Sequence, residues 1–204
     1  MRNTTSRGLQ SKRMKSVQRC AWVNLSVPLY VTYHDVEWGV PVHTDRKMFE
    51  FLVLESAQAG LSWLTVLRKR AAYKKAFAHF DYTKVAKFTN RDIERLMNNA
   101  GIIRNRQKIT AAVKNAKAFL QIRTEFGTFC NYLWQFVDGE SLQPKPATIK
   151  HLPAMTDLSV QIAKDMKRRG FSFLGPTVMY AHLQATGLVN DHTRDCFRYK
   201  LLRR

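Results

Sequence analysis

Cysteines and long apolar runs are both scarce in this sequence of 204 residues. Only three cysteines are present, an odd number that excludes the disulfide framework of a small secreted protein and leaves reduced thiols or metal ligands. No apolar run reaches the roughly 18 residues that a membrane-spanning helix needs, and no signal-peptide core follows the first residues. We therefore expect a cytoplasmic protein, nucleoid-associated in a bacterial cell, with no membrane partner.

Acidic side chains are also few. Fifteen Asp and Glu residues stand against 34 Lys and Arg residues, which gives a formal net charge of +19. An excess of this size favours a polyanionic partner such as nucleic acid, and an anionic membrane surface is the alternative. Hydrophobic residues make up 45% of the sequence, which is enough for a buried core. The composition thus indicates a folded protein that works on nucleic acid, and it specifies no chemistry.

The hydrophobic pattern predicts an all-α fold. Apolar residues recur every three or four positions from Asp45, are interrupted at Gly60 and resume along a basic segment to Phe77. Thr89 and Asp92 have the spacing of a capping box and start a further short helix. No segment alternates as a strand does. Other helices are predicted at about 106–122, 129–137, 156–170 and 176–187.

The N-terminal segment differs from the rest of the chain. Residues 1–18 contain five basic residues, no acidic one and few large apolar ones, so we predict a flexible basic arm there. An initiation site at Met14 and a transit peptide are the alternatives. The helical domain then covers 19–204.

Two cysteines and two histidines lie near the ends of this domain. Cys20 and His34 are close to its start, and His192 and Cys196 near its end have the i, i+4 spacing of one helix face. Thiolate and imidazole are the ligands that zinc prefers, and four protein ligands would make the site structural. The alternative is a hydrogen-bonded core histidine with two buried apolar cysteines, since neither half has a compact CxxC motif.

Basic residues follow a glycine between two predicted helices. Gly101 is followed by Arg104, Arg106 and Lys108, which is the layout of a helix-hairpin-helix whose backbone N–H groups bind phosphate without reading sequence. The match is incomplete, because Ile103 takes the place of the usual second glycine. A plain helical turn with solvated basic side chains is the alternative.

One acidic residue lies in an apolar stretch that is flanked by aromatic residues. Glu55 has apolar neighbours on both sides, so its carboxyl group must be paired, exposed or functional. Aromatic rings usually belong to the core, but Trp63 follows the helix break at Gly60, where a ring can line a pocket. The other aromatic residues of this region are Tyr30, Tyr33 and Trp38.

Several blocks of the sequence resemble the DNA-3-methyladenine glycosylase I family. The resemblance covers about 19–199, in order, and several of its blocks are highly specific. The blocks are Cys-Ala-Trp at 20–22, Tyr-His-Asp-Val-Glu-Trp-Gly-Val-Pro at 33–41, Leu-Glu at 54–55, Gln-Ala-Gly-Leu-Ser-Trp at 58–63, Ala-Gly-Ile-Ile-Arg at 100–104, Lys-Arg-Arg-Gly-Phe at 167–171 and Gly-Leu-Val-Asn-Asp-His at 187–192.

The resemblance implies a two-lobed helix-hairpin-helix DNA glycosylase with the active cleft between the lobes. It implies hydrolysis of the N-glycosidic bond of 3-methyladenine in alkylated double-stranded DNA by a monomer, which leaves an abasic site. The Gly60–Leu61 turn is a candidate for the wedge that enters the DNA. The implied zinc ligands are Cys20, His34, His192 and Cys196. The implied base pocket contains Glu55, Tyr33 and Trp63, with Trp38 and Tyr30 as further contributors.

This chemistry is physically reasonable. A cationic methylated base stacked between Tyr33 and Trp63 would gain cation–π attraction that neutral adenine lacks, and Glu55 would accept hydrogen bonds from its edge. The catalytic Asp of most helix-hairpin-helix DNA glycosylases has no counterpart in this sequence, because Glu125 is the only acidic residue between positions 101 and 137. We therefore expect attack by water and no lyase step, with Lys108 disfavoured as a Schiff-base nucleophile. The alternative is a module that binds damaged DNA without cutting, against which Glu55 argues.

Overall fold

The computed structural model describes residues 17–203, so most of the predicted N-terminal arm lies outside the described residues. The ten α-helices of this range are α1 Pro28–Val36, α2 Asp45–Gln58, α3 Trp63–Ala76, α4 Tyr82–Val85, α5 Asn90–Met97, α6 Arg106–Phe126, α7 Phe129–Trp134, α8 Asp157–Arg168, α9 Pro176–Ala185 and α10 Phe197–Leu202. Between residues 17 and 203 no β-strand is present, which confirms the all-helical prediction. No helix in that range is long and apolar enough to cross a bilayer.

Helix α2 lies at the centre of the core. Nine of its residues between Met48 and Ala57 are buried, and the helix packs against α3, α6, α7 and α9. A helix that is apolar on every side must be covered on every side, which is why its neighbours surround it. Glu55 lies in the last turn of this helix. Its carboxyl group is therefore attached to one of the best-packed elements of the molecule.

The break between α2 and α3 is stabilised from α6. Gly60 has a φ of +78°, the left-handed conformation that suits glycine after a helix. The ammonium group of Lys108 donates hydrogen bonds to the carbonyl oxygens of Ala57 at 3.0 Å and Ala59 at 2.5 Å. These carbonyls belong to the C-terminal end of α2, where a cation is favourable. Lys108 thus holds the start of α6 beside the turn at Gly60 and Leu61.

The connection 98–105 between α5 and α6 packs against α3. A Cβ atom at Gly101 would lie 2.8 Å from the Cβ of Ala72, so this approach requires glycine. The backbone N–H of Ile103 donates a hydrogen bond of 3.1 Å to the hydroxyl of Tyr73. Asn105 then caps α6 by accepting from the N–H of Lys108. Helix α6 is longer than predicted because it continues to Gly127, whose φ is +77°.

Most predicted helix starts are confirmed, and three helices, α1, α4 and α10, are additions. The capping box is present, since Asp92 accepts a hydrogen bond of 2.9 Å from the N–H of Thr89. Helix α1 was not predicted, because its valine, threonine and tyrosine residues have modest helix propensity. The helix-face prediction for His192 and Cys196 is wrong. Residues 192–196 form a turn, and Cys196 is the N-cap of α10.

Candidate functional site

Four metal-binding side chains converge where the two ends of the domain meet. The ligand atoms of Cys20, His34, His192 and Cys196 all lie within 4.8 Å of one another, and all four residues are buried. Three sulfur–nitrogen separations, from Cys20 to His192 and from Cys196 to each histidine, are 3.5 Å. A tetrahedral zinc with bonds of about 2.3 Å to sulfur and 2.0–2.1 Å to nitrogen would give edges of about 3.5 Å. The cluster therefore fits a metal ion.

The other ring nitrogen of each histidine also has a partner. His34 pairs through Nδ1 with Oδ1 of Asp35 at 2.8 Å, and His192 pairs through Nε2 with the backbone oxygen of Trp38 at 3.0 Å. Since both partners are acceptors, they hold a proton on that nitrogen and leave a lone pair on the one that faces the cysteines. Arg19 orients Asp35 through three hydrogen bonds of 2.7–3.0 Å.

The two thiols differ in acidity. Hydrogen bonding with Cys20 and then with the two imidazoles lowers the pKa of Cys196, and the same thiol–thiol contact together with burial raises the pKa of Cys20. Cys20 therefore keeps its proton, whereas Cys196 loses its proton readily. The thiolate is the form that binds metal.

A small cavity of about 200 Å³ lies against this cluster. Trp38 belongs to both regions, because it lines the cavity while its ring centroid lies 4.5 Å from that of His192. Trp22 does the same, with its centroid 5.3 Å from that of His34. The cluster thus fixes one aromatic wall of the cavity. The cavity is lined by Trp22, Tyr30, Tyr33, Trp38, Glu55, Gln58, Trp63, Leu152, Ala181 and Gln184.

The rings of Tyr33 and Trp63 touch each other. Their centroids are 5.3 Å apart and their planes are inclined by 52°. A base between two parallel rings needs about 7 Å, two contacts of about 3.5 Å each. In this arrangement the two rings leave no room for a base between them, so stacking between Tyr33 and Trp63 stays a prediction that requires the rings to separate. Burial raises the pKa of Tyr33 well above its usual range, so its hydroxyl stays protonated.

Glu55 is buried and unpaired in the cavity wall. It is 4% exposed, and among residues 17–203 no group donates a hydrogen bond to its carboxyl oxygens. Burial raises the pKa of Glu55 to about 8, because a carboxylate is poorly solvated there. The indole N–H of Trp63 is also buried, and it has no partner in the part of the chain that the structure describes. Unpaired polar groups around a cavity indicate a ligand that supplies what the protein lacks.

The predicted DNA-contacting residues lie near one another around the start of α6, and their present partners differ. Within the described chain the exposed side chain of Arg104 has no hydrogen-bond or ion-pair partner. Arg106 forms a bidentate pair with Glu94 at 2.7 and 2.8 Å. Lys108 is bound to the end of α2, next to Gly60 and the 40% exposed Leu61.

Five residues of the cavity are not predicted from the sequence: Trp22, Gln58, Leu152, Ala181 and Gln184. Trp22 belongs to a block that carries the family resemblance, but no periodic pattern points to a pocket there, and Gln58 and Gln184 are single amides in helical segments. Only tertiary packing brings the segment before α1, the end of α2 and α9 together. Glu125 is paired with Arg169 at 2.5 Å and does not line the cavity.

The protein is all-helical and cationic, and its aromatic cavity is lined by the buried carboxyl group of Glu55, an arrangement suited to a planar ligand that donates hydrogen bonds. Comparison with known proteins gives the family. Residues 22–199 match the family model described as methyladenine glycosylase, so the chain belongs to that family.

Several known proteins that are similar to this chain are named as 3-methyladenine glycosylases. The chain is 45% identical to DNA-3-methyladenine glycosylase 1 of Escherichia coli over 183 residues, covering 90% of this chain and 97% of that protein. It is 44% identical to DNA-3-methyladenine glycosylase of Haemophilus influenzae, covering 87% and 96% of the two chains. A crystal structure of 3-methyladenine DNA glycosylase I superposes with a TM-score of 0.85 at 47% identity, covering 88% and 98%. The Staphylococcus aureus enzyme, studied for its recognition of 3-methyladenine, gives 0.85 at 39% identity, covering 88% and 95%.

Proposed function

We propose that this chain is a DNA-3-methyladenine glycosylase, a base-excision repair enzyme that hydrolyses the N-glycosidic bond of 3-methyladenine in alkylated DNA. One observation carries the proposal: an aromatic cavity whose single carboxyl group, that of Glu55, has no partner within the described chain. Family membership supports the same activity, because the relatives are named for it.

The cavity suits a cationic purine. Methylation at N3 leaves a positive charge on the adenine ring of the nucleotide, and the faces of Trp63 and Tyr33 attract such a charge. A cation beside Glu55 restores the missing electrostatic partner and favours the carboxylate over the acid. The carboxylate can then accept hydrogen bonds from the base edge. Neutral adenine offers no charge, so it would leave Glu55 as desolvated as before.

Little further catalysis is needed. When the glycosidic bond breaks, its electron pair passes to the base, which leaves as neutral 3-methyladenine because its positive charge is cancelled. Water then adds to the sugar carbon and loses a proton to solvent, which completes an abasic site. The interaction with Glu55 matters because the charged base must be bound, flipped out of the stack, before the bond breaks. No lyase step is included in the proposal, since Lys108 is bound to the carbonyls of α2.

We further propose how DNA is held. The domain 19–204 would be two-lobed, with α5, the connection 98–105 and α6 as its helix-hairpin-helix and double-stranded DNA in the cleft. Arg104 would contact a phosphate directly, near the backbone of Gly101. Arg106 would also contact a phosphate while it stays paired with Glu94, and Lys108 would do so while it stays bound to the carbonyl oxygen of Ala59. The exposed Leu61 after Gly60 would fill the space left by the flipped base. A monomer would suffice.

The proposed metal is one structural Zn²⁺ held by Cys20, His34, His192 and Cys196. The ligand types, the edge lengths of 3.5 Å and the partnered outer nitrogens support it. Four protein ligands leave no open position for a substrate, so the ion would contribute stability and would hold the aromatic wall of the cavity in place.

The activity is tested by incubating the protein with methylated DNA and chromatographing the released bases. We expect 3-methyladenine to appear well above the uncatalysed rate. If it does not, the enzyme assignment fails, and binding to damaged DNA without release would favour the binding module. Free 3-methyladenine should also bind, and its loss in Glu55→Gln would link that binding to the cavity.

A further inference from the structure

Three side chains form a hydrogen-bonded chain directly behind the cavity. Gln184 of α9 lines the cavity, and its Nε2 donates a hydrogen bond of 2.8 Å to Oδ2 of Asp191. The same oxygen accepts a short hydrogen bond from the hydroxyl of Tyr180. Asp191 is 1% exposed, so water does not compete for these contacts. The side chain of Gln184 is therefore fixed by a residue that does not itself line the cavity.

The carboxyl partner determines which end of the amide faces the cavity. Oδ2 of Asp191 acts here as an acceptor for two donors, so the NH₂ end of Gln184 must point toward it. The carbonyl Oε1 then lies on the other side of the amide, and no donor in the described chain hydrogen-bonds to it. Gln58 lines the same cavity, but no residue of the described chain holds its amide, which can present either end.

We propose that Gln184 is a specificity-determining residue that presents a carbonyl oxygen to the base, and that Asp191 positions it. This rests on the proposed function. A fixed acceptor favours a purine with an amino group at the six-position, which adenine has. It disfavours a purine with a carbonyl oxygen there, as in guanine, because two acceptors repel and both stay unpaired. The cavity would therefore select alkylated adenine over alkylated guanine.

The test compares the release of 3-methyladenine and 3-methylguanine from the same methylated DNA by wild type and Gln184→Met. Methionine keeps the approximate length of the side chain and removes the acceptor. We expect kcat/KM for 3-methyladenine to fall about 10- to 100-fold, the range for a lost hydrogen bond to a charged group, and 3-methylguanine release to change much less. The ratio of the two rates therefore collapses.

Gln58→Met is the matched control, because it removes an amide from the same cavity that is not fixed. It should leave the ratio unchanged whatever it does to the rate. Equal losses for both bases in Gln184→Met would overturn the proposal, since they would indicate only a damaged cavity. So would a ratio that does not change.

The positioning role is tested with Asp191→Asn, whose amide can either donate or accept and so no longer fixes Gln184. The ratio should fall in this variant as well. Tyr180→Phe, which removes one partner of Asp191, is the milder substitution if Asp191→Asn does not fold. An unchanged ratio in the folded variant overturns this role. Calorimetric affinities for the two free bases give the same comparison without turnover, so a failure of the proposed function remains distinguishable from a failure of the specificity proposal.

Discussion

The metal cluster and the cavity share the ring of Trp38, yet their polar atoms are satisfied in different ways. In the cluster each histidine nitrogen has a partner, either a cysteine sulfur or an acceptor such as Asp35. In the cavity Glu55 has no hydrogen-bond donor within the described chain, and the indole N–H of Trp63 is unpaired. The comparison separates a site whose polar atoms are satisfied within the protein from a site whose polar atoms remain available to a ligand.

The largest effect should follow from opening the cluster. Cys196→Ser replaces a thiolate by a poor zinc ligand, so we expect the metal content to fall from about one per chain and the free energy of unfolding to drop by about 4 kcal/mol or more. Elemental analysis and urea denaturation measure the two. At low temperature the activity of the variant should be proportional to the fraction of its molecules that is folded. A wild-type protein without metal and with full stability would refute the structural role.

A substitution in the cavity should have the opposite pattern, with a loss of activity and a gain in stability at high pH. Glu55→Gln removes the carboxylate that we propose pairs with the cationic base, so we expect kcat/KM to fall about 10- to 150-fold. The stability of the variant relative to wild type should increase as the pH rises. The folded-state pKa of Glu55 is raised to about 8, so wild type loses stability between about pH 4.5 and 8, and the variant does not.

Urea denaturation of both proteins at pH 5 and pH 8 tests the second part. The variant should gain about 3 kcal/mol on wild type between these two values, since only wild type must ionise a buried carboxyl group. A variant that is less stable than wild type by the same amount at both values would show that Glu55 already has a partner.

His182 provides a third case, an unpaired buried group without a cavity. It is fully buried, its two ring nitrogens have no partner among residues 17–203, and burial lowers its pKa to about 3. The unfolded state therefore binds more protons between about pH 3 and 6.5, and stability falls as the pH drops below 6.5. His182→Phe should gain about 2 kcal/mol on wild type between pH 7.5 and pH 5 in urea denaturation, with turnover unchanged.

If the activity of His182→Phe were lost in a folded protein, an unpaired buried group away from the cavity would also have a functional role. The distinction between the two regions would then need revision.

The smallest expected effect concerns a single phosphate contact. Arg104→Ala should weaken binding to all DNA sequences and reduce the slope of log K against log salt by about 1. Arg46→Ala is the matched control, because Arg46 is an exposed arginine at the other end of α2, about 20 Å from the Gly60 turn. An equal slope change in both variants would mean that net charge alone matters.

The sequence was sufficient for features that local residue types determine. The capping box at Thr89 and the break at Gly60 need only neighbours along the chain, and both are confirmed. Contacts between distant segments were not predictable from one sequence. The sequence favours a phosphate contact over a Schiff-base nucleophile for Lys108, and it does not predict the observed partners, which are carbonyl groups that lie 51 and 49 residues earlier.

The four candidate metal ligands are predicted from residue type and resemblance, but their geometry is not. His192 and Cys196 approach each other through a turn rather than along a helix, because α10 begins only at Phe197. Likewise, Gln184 is one polar residue among many until α9 packs beside α2. Its orientation depends on Asp191, which follows it by seven positions and a turn.

The cluster joins segments of the chain that are far apart in the sequence, since 162 residues separate His34 from Cys196 and 172 separate Cys20 from His192. On the ribosome Trp22 and Trp38 therefore emerge long before His192 and Cys196. The four ligands can come together only after residue 196 has been synthesised, and the aromatic wall that packs against them is without that support until then. A product truncated before His192 would lack two of the four ligands.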